Sequence, residues 1–183
     1  GMTVGAVANG EQEMTARGAQ KAAEFVEFCD AFNIPVLTIT NVKGFKASLC
    51  TERNIGKAAA KLTYAFANAT VPKVNVIAGE AFGSAYVIMN SKGIGADLVY
   101  AWKDAKIGMM DASLAAKVMY ADADAATQQE KAAEYAALQD SVDAAAARGY
   151  VDTVIDAQDT RKYVIGAFEM LFTKREDRPA KKH

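Results

Sequence analysis

At 183 residues the chain is long enough for one domain with a sizeable core and short for two. A formal net charge of −1 argues against electrostatic capture of nucleic acid or an anionic membrane, and no apolar stretch reaches the ~20 residues of a spanning helix. The N-terminus lacks a signal-peptide layout, which makes the cytoplasm the expected location, and the single histidine, His183, ends the chain, where a mobile side chain makes a poor base.

Thr3 to Ala8 is β-branched and apolar, the pattern of a buried strand. From Thr15 to Asn33, Ala22, Phe25, Val26, Cys29 and Phe32 recur at helical spacing, and Asn33 with Pro35 stops the helix. Residues 35–40 (PVLTIT) read as a second strand. A polar loop is expected from Asn41 to Arg53, followed by a helix marked by Ile55, Ala59, Leu62, Phe66 and Ala69. Lys73 to Ala78 is a third strand, and a helix is expected to open at Gly83-Ser84-Ala85. Asp97–Trp102 and Lys106–Met110 read as short strands, with Asp111 capping a helix to Tyr120. Ala123 to Arg148 is Ala-rich and charged, a helix pair closed by Gly149. Tyr150–Ile155 is a last strand, a helix opens at Asp159 or Thr160 and runs to about Thr173, and residues 174–183 form a solvated tail. Strands alternating with helices predict an α/β fold with a mostly parallel sheet, in one domain over residues 1–173.

Cys29 and Cys50 have no metal-ligand spacing, and no metal is expected. In Gly79-Glu-Ala-Phe-Gly-Ser-Ala-Tyr86 the small residues at a strand-to-helix junction would leave first-turn N–H groups open to an oxyanion. Close helix–sheet packing explains the same residues equally well. Ser84 could be a nucleophile only with a base to take its proton, and no spacing marks one. Lys43, Lys46 and Arg53 could meet a phosphate or carboxylate, or simply be solvated. Tyr64, Phe66, Tyr86, Met109 and Met110 read as core.

Three blocks carry a family resemblance: KAAEFVEFCDAFNIPVLTITNVKGF, AAAKLTYAFANATVPKVNVIAGEAFGSAYVIMNSKGIGADLVYAW and AAARGYVDTVIDAQDTR. Together with the tail KREDRPAKKH they resemble the C-terminal half of biotin-dependent acyl-CoA carboxyltransferases. That family includes propionyl-CoA carboxylase β subunits and related decarboxylase subunits. The resemblance implies a Clp/crotonase-like fold of repeated β-β-α units. It also implies a reaction without a side-chain base, in which biotin brings the carboxyl group and removes the α-proton of an acyl-CoA. The backbone N–H groups of Ser84 and Ala85 would form an oxyanion hole, with Gly44, Phe45, Gly83 and Tyr86 at or near the biotin.

The sequence departs from the family pattern at Asn41-Val42-Lys43-Gly44-Phe45, where Asp-Val-Pro-Gly-Phe is usual. Ser84 stands where a second Gly is usual, and Arg53–Ala58 replaces a Gly-Gly-Ile-Ile-Arg-His segment. The acyl-CoA-binding half has no counterpart, so the chain is expected to be a fragment or a separate subunit, inactive alone. Expected partners are that N-terminal half, a biotin carboxyl carrier protein or domain, and further copies in a trimer or hexamer. The rival readings are a non-catalytic assembly module and a Clp-like serine hydrolase using Ser84.

Overall fold

The computed structural model describes residues 1–177. A first β-β-α unit comprises β1 (Gly5–Ala8), β2 (Glu13–Met14) and α1 (Ala16–Ala31), and a second comprises β3 (Val36–Val42), β4 (Gly44–Phe45) and α2 (Leu49–Asn68). In the third, one long strand, β5 (Lys73–Phe82), fills both strand positions ahead of α3 (Gly83–Val87). The fourth has β6 (Leu98–Trp102), β7 (Lys106–Gly108) and α4 (Ala112–Met119). Then come α5 (Ala125–Tyr135), α6 (Val142–Ala147), β8 (Thr153–Ile155) and α7 (Thr160–Met170).

The main sheet runs β1-β3-β5-β6-β8, with every neighbouring pair parallel, as the alternation of strands and helices predicts. β2 and β4 pair in a separate two-stranded sheet. β5 changes partner along its length: Val74–Ile77 lie against Leu98–Ala101 of β6, and Glu80–Phe82 against Lys106–Gly108 of β7. Alternate residues of β5 serve opposite faces. Val74 and Val76 pack with Ala167 and Phe168 of α7, while Ile77 joins the larger core with α1 and α2. There Val26, Leu62 and Phe66 are fully buried, each contributing roughly 1.5–3 kcal/mol. Ala19, Ala23 and Ala65 keep the helix backbones near their neighbours.

Several boundaries differ from the sequence reading. The loop expected over residues 41–53 contains β4 and the first turn of α2, because the Ser48 hydroxyl accepts from the Thr51 amide at 3.2 Å and caps the helix there. β2 and β4 are two residues long, too short to show a period. β5 runs on to Phe82 because β7 pairs with its far end. The expected helix pair in residues 123–148 is interrupted by a π-helical turn, Ala136–Asp140. β8 and α7 are shorter than expected. Phe66 and Tyr86 are buried as expected, but Tyr64 is 56% and Met109 78% exposed, so neither is core. Lys174, at the head of the expected solvated tail, is held by Asp97 at 2.9 Å and the Val71 carbonyl. The rest of that tail from Arg178, including His183, lies outside the described residues. Cys29 is buried, Cys50 is exposed, and both are free.

Candidate active site

The site is built at the far end of β5. The pairing of β3 with β5 shifts register between Thr40 and Val42, and the side chain of Asn41 occupies the irregularity. Its Oδ1 accepts from the Glu80 amide at 3.0 Å and stands 2.6 Å from where a Cβ on Gly79 would be. Gly79 is therefore the residue that lets Asn41 hold the strand. Four residues later the chain turns abruptly into α3. Gly83 makes that turn with φ +61°, and a Cβ there would lie 3.1 Å from the Met109 carbonyl oxygen. Strand, turn and helix thus meet with a small residue at each close approach.

No side chain caps α3. The N–H groups of Ser84 and Ala85 belong to its first turn, where an α-helix supplies no acceptor of its own. The Ser84 side chain is exposed, whereas Ala85 and Tyr86 are buried. Along one side of α3 runs a cleft of about 810 Å³, lined by Gly83, Ser84, Tyr86, Val87 and Ser91, by Ile107, Gly108 and Met109, and by Tyr135, Gln139, Arg148 and Tyr150. Of the expected site residues, Gly83, Ser84 and Tyr86 line this cleft. Ala85 lies buried beside them. Gly44 and Phe45 do not line it: they sit in β4, which packs on α3, and Phe45 is half-buried against the core.

The loop cations have closer partners than their spacing suggested. Lys43 pairs with Glu80 at 3.2 Å and Lys46 with Glu11 at 3.5 Å, while Arg53 stands exposed on α2. The contact of Lys43 with Glu80 Oε2 is an ion pair without hydrogen-bond alignment. Asp111 caps α4 as predicted, accepting from the Ser113 and Leu114 amides. The Ser113 hydroxyl is the main reason its carboxyl is held below the usual range.

Asp140, in the π-helical turn, carries no signal in the sequence, since it ends an Ala-rich helical stretch. It is 4% exposed, its Oδ1 has no hydrogen-bond partner, and it stands 2.5 Å from where a Cβ on Gly108 would be. Burial pushes its carboxyl up to about 6, aided by repulsion from Asp111 and opposed by Lys106. Burial, with a smaller contribution from Tyr150, pushes the Tyr86 phenol up to about 12. Ser91, Gln139, Arg148 and Tyr150 were also missed as site residues. The last two fall in Arg148-Gly149-Tyr150, inside one of the recognisable blocks.

Comparison with known proteins agrees with this architecture. A family model described as the carboxyl transferase domain matches residues 1–183. The chain is 48% identical over 177 residues to a putative propionyl-CoA carboxylase β chain of Bacillus subtilis, covering 93% of this chain and 35% of that protein. It is 44% identical to the methylmalonyl-CoA carboxyltransferase 12S subunit of Propionibacterium freudenreichii, covering 100% and 37%. Among solved structures, a transcarboxylase 12S with hydrolysed methylmalonyl-coenzyme A bound superposes with a TM-score of 0.93 at 44% identity, covering 98% of this chain and 37% of that one. The geranyl-CoA carboxylase β subunit of Pseudomonas aeruginosa gives 0.81 at 27% identity, covering 98% and 36%. The chain thus spans little more than a third of the length of these relatives. With the model matching from end to end and the β-β-α units in place, this chain belongs to the carboxyl transferase domain family and has its crotonase-like fold.

Proposed function

We propose that the chain is the biotin-side part of a carboxyltransferase that moves a carboxyl group between biotin and an acyl-CoA. The observation that carries this is the first turn of α3: an uncapped helix start beside a cleft with no histidine or carboxylate among its lining residues. The Ser84 and Ala85 amides are fixed donors, and such donors meet negative charge developing on oxygen without any proton transfer from a side chain. Gly83 lets the chain enter the helix at the angle that presents them. Bound biotin supplies the carboxyl group and the base that the cleft lacks.

The residues present fit that group. Val87, Ile107 and Met109 offer apolar walls, and Gln139, Arg148 and Tyr150 offer polar contacts. Ser84 has no histidine near it among the described residues, which disfavours a serine hydrolase. The relatives' names carry propionyl-CoA and methylmalonyl-CoA, so a short-chain acyl-CoA is the proposed substrate class. Its binding half corresponds to the greater part of the relatives' length that this chain does not span. The exposed Leu114, Val118 and Met119 of α4 give that half, or a further copy, an apolar surface. Biotin would arrive on a separate carrier. The 12S structure is described as a hexamer assembly, and an oligomer is proposed here also.

The test is an amide-resolved NMR titration of the chain with biotin methyl ester. Saturable shifts are expected at Ser84 and Ala85, retained in Ser84→Ala and lost in Ala85→Pro, with circular dichroism confirming both folds. Loss of binding in Ser84→Ala with retention in Ala85→Pro would overturn the backbone reading.

A further inference from the structure

The chain enters α3 at Gly83 with φ +61° and leaves it through Asn90 with φ +56°. Asparagine is one of the few residues that adopt this left-handed backbone readily. Between the two turns α3 has no polar side-chain anchor of its own: Ser84 is exposed, and Tyr86 Oη has no hydrogen-bond partner.

The anchors lie at its exit. The Met89 carbonyl accepts from Asn75 Nδ2 at 3.3 Å, and Asn90 Nδ2 donates to the Thr38 hydroxyl at 3.2 Å. The Thr40 hydroxyl donates to Asn75 Oδ1 at 2.9 Å, with the Met89 carbonyl at 3.4 Å as its longer alternative. Thr38 and Asn75 are register partners on β3 and β5, and all four residues are fully buried. Thr38 and Thr40 share the face of β3 that carries Val36 and Val42 into the larger apolar core.

Such pairs add little net stability, because apolar groups of the same shape in place of both partners can be nearly neutral. A buried hydrogen-bond network does fix one arrangement of the segments it joins. Here those segments are β3, β5 and the exit of α3. Met89 lies five residues, or roughly 7.5 Å of helix, beyond Ser84, so a shift at the exit tilts the first turn. Donors must stand within about 0.5 Å and 10–20° of their productive placement.

We propose that Asn75 and Asn90, partnered by Thr40 and Thr38, are positioning residues that hold the exit of α3 to the sheet and so aim the Ser84 and Ala85 amides into the cleft. What those amides bind rests on the reading of the cleft as the carboxyl-transfer site.

The test compares N–H residual dipolar couplings of the chain with those of two paired variants, Thr40→Val/Asn75→Leu and Thr38→Val/Asn90→Gly. Each pair removes both partners of a bond, so the urea midpoint is expected to stay close to that of the unaltered chain. The couplings of residues 84–87 should no longer fit their original orientation, while those of α1 and α2 still do. Biotin methyl ester should bind about tenfold more weakly, the equivalent of one lost hydrogen bond. Thr40→Ser, which keeps the donor, should retain both the orientation and the affinity. If a pair fails to fold, Asn90→Gly alone suits the left-handed backbone, removes an unpaired Oδ1 and should reorient residues 84–87 in the same sense. Couplings at 84–87 unchanged in every folded variant would overturn the proposal, as would an equal loosening of α1, α2 and α3 or an undiminished affinity. If the unaltered chain does not bind biotin methyl ester, the reading of the cleft falls, and the couplings alone decide whether these residues position α3.

Discussion

Two buried aspartates, Asp30 beside the end of α2 and Asp140 behind Gly108, are treated in opposite ways. Asp30 of α1 is 9% exposed, and its Oδ1 accepts from the Thr70 amide at 2.7 Å, the Thr70 hydroxyl at 3.0 Å and the Val71 amide at 3.4 Å. It ties the end of α1 to the chain leaving α2, and its burial is offset by those bonds. Asp140 is more deeply buried, and one of its oxygens has no partner. The other orphaned side-chain oxygens among the described residues belong to Glu80, Tyr86, Asn90 and Ser91, all within a dozen residues around α3. Asp30 under the α1–α2 layer is satisfied, whereas a few buried oxygens in and near α3 lack a hydrogen bond. The first region is built for stability, and the second keeps its hydrogen-bonding capacity in reserve.

The largest expected effect breaks the second region at its amides. In the complete enzyme, Ala85→Pro should lower the carboxyl-transfer rate by about 10²–10³, or ~3–4 kcal/mol of transition-state stabilisation, because one fixed donor is deleted. Ser84→Ala should keep most of the activity. Steady-state rates on matched, folded preparations check this, and a larger loss in Ser84→Ala would point to the hydroxyl.

The same chemical change at the two aspartates should have opposite signs. Asp30→Asn weakens charge-assisted bonds to three donors and should cost about 1–3 kcal/mol in urea denaturation. Asp140→Asn removes a buried, underpaired charge and should stabilise at neutral pH by about 1–2 kcal/mol. The pH dependence gives a sharper comparison. The Asp140 carboxyl titrates at about 6 in the fold against 3.8 ordinarily, so the native state holds an extra proton between those values. Its contribution to stability is therefore present in acid, falls as pH rises through that window and levels off above it. Asp140→Asn should remove that slope. A slope unchanged by the substitution would mean that the carboxyl finds a partner in solution.

The smallest expected effect is at Tyr86. Tyr86→Phe deletes a buried hydroxyl that has no protein partner, so it should leave stability unchanged or raise it by up to about 1 kcal/mol in thermal unfolding. A loss of more than that would show the hydroxyl to be part of the packed structure, and the contrast between the two regions would weaken.

What the sequence alone determined is what local pattern and recognisable blocks can carry. Helical spacing from Ala22 to Phe32, the stop at Asn33-Pro35, the strand at Pro35–Thr40 and the cap at Asp111 all depend on neighbours in the chain, and the structure has each of them. The family, and with it the β-β-α fold, was legible because whole ordered blocks match it. Tertiary structure alone decided the rest. β5 extends to Phe82 because β7, two dozen residues further on, pairs with its far end, where Val42 of β3 also lies against Ala81. Met109 is exposed because it follows the end of β7, beside the cleft. Arg148 and Tyr150 reach the cleft beside Tyr86 across more than sixty residues of chain, and Asp140 is buried against Gly108 across more than thirty. A local pattern fixes which way a segment wants to fold. Whether its polar groups find partners depends on what distant segments bring against it, and that decided where this protein is satisfied and where it is left open.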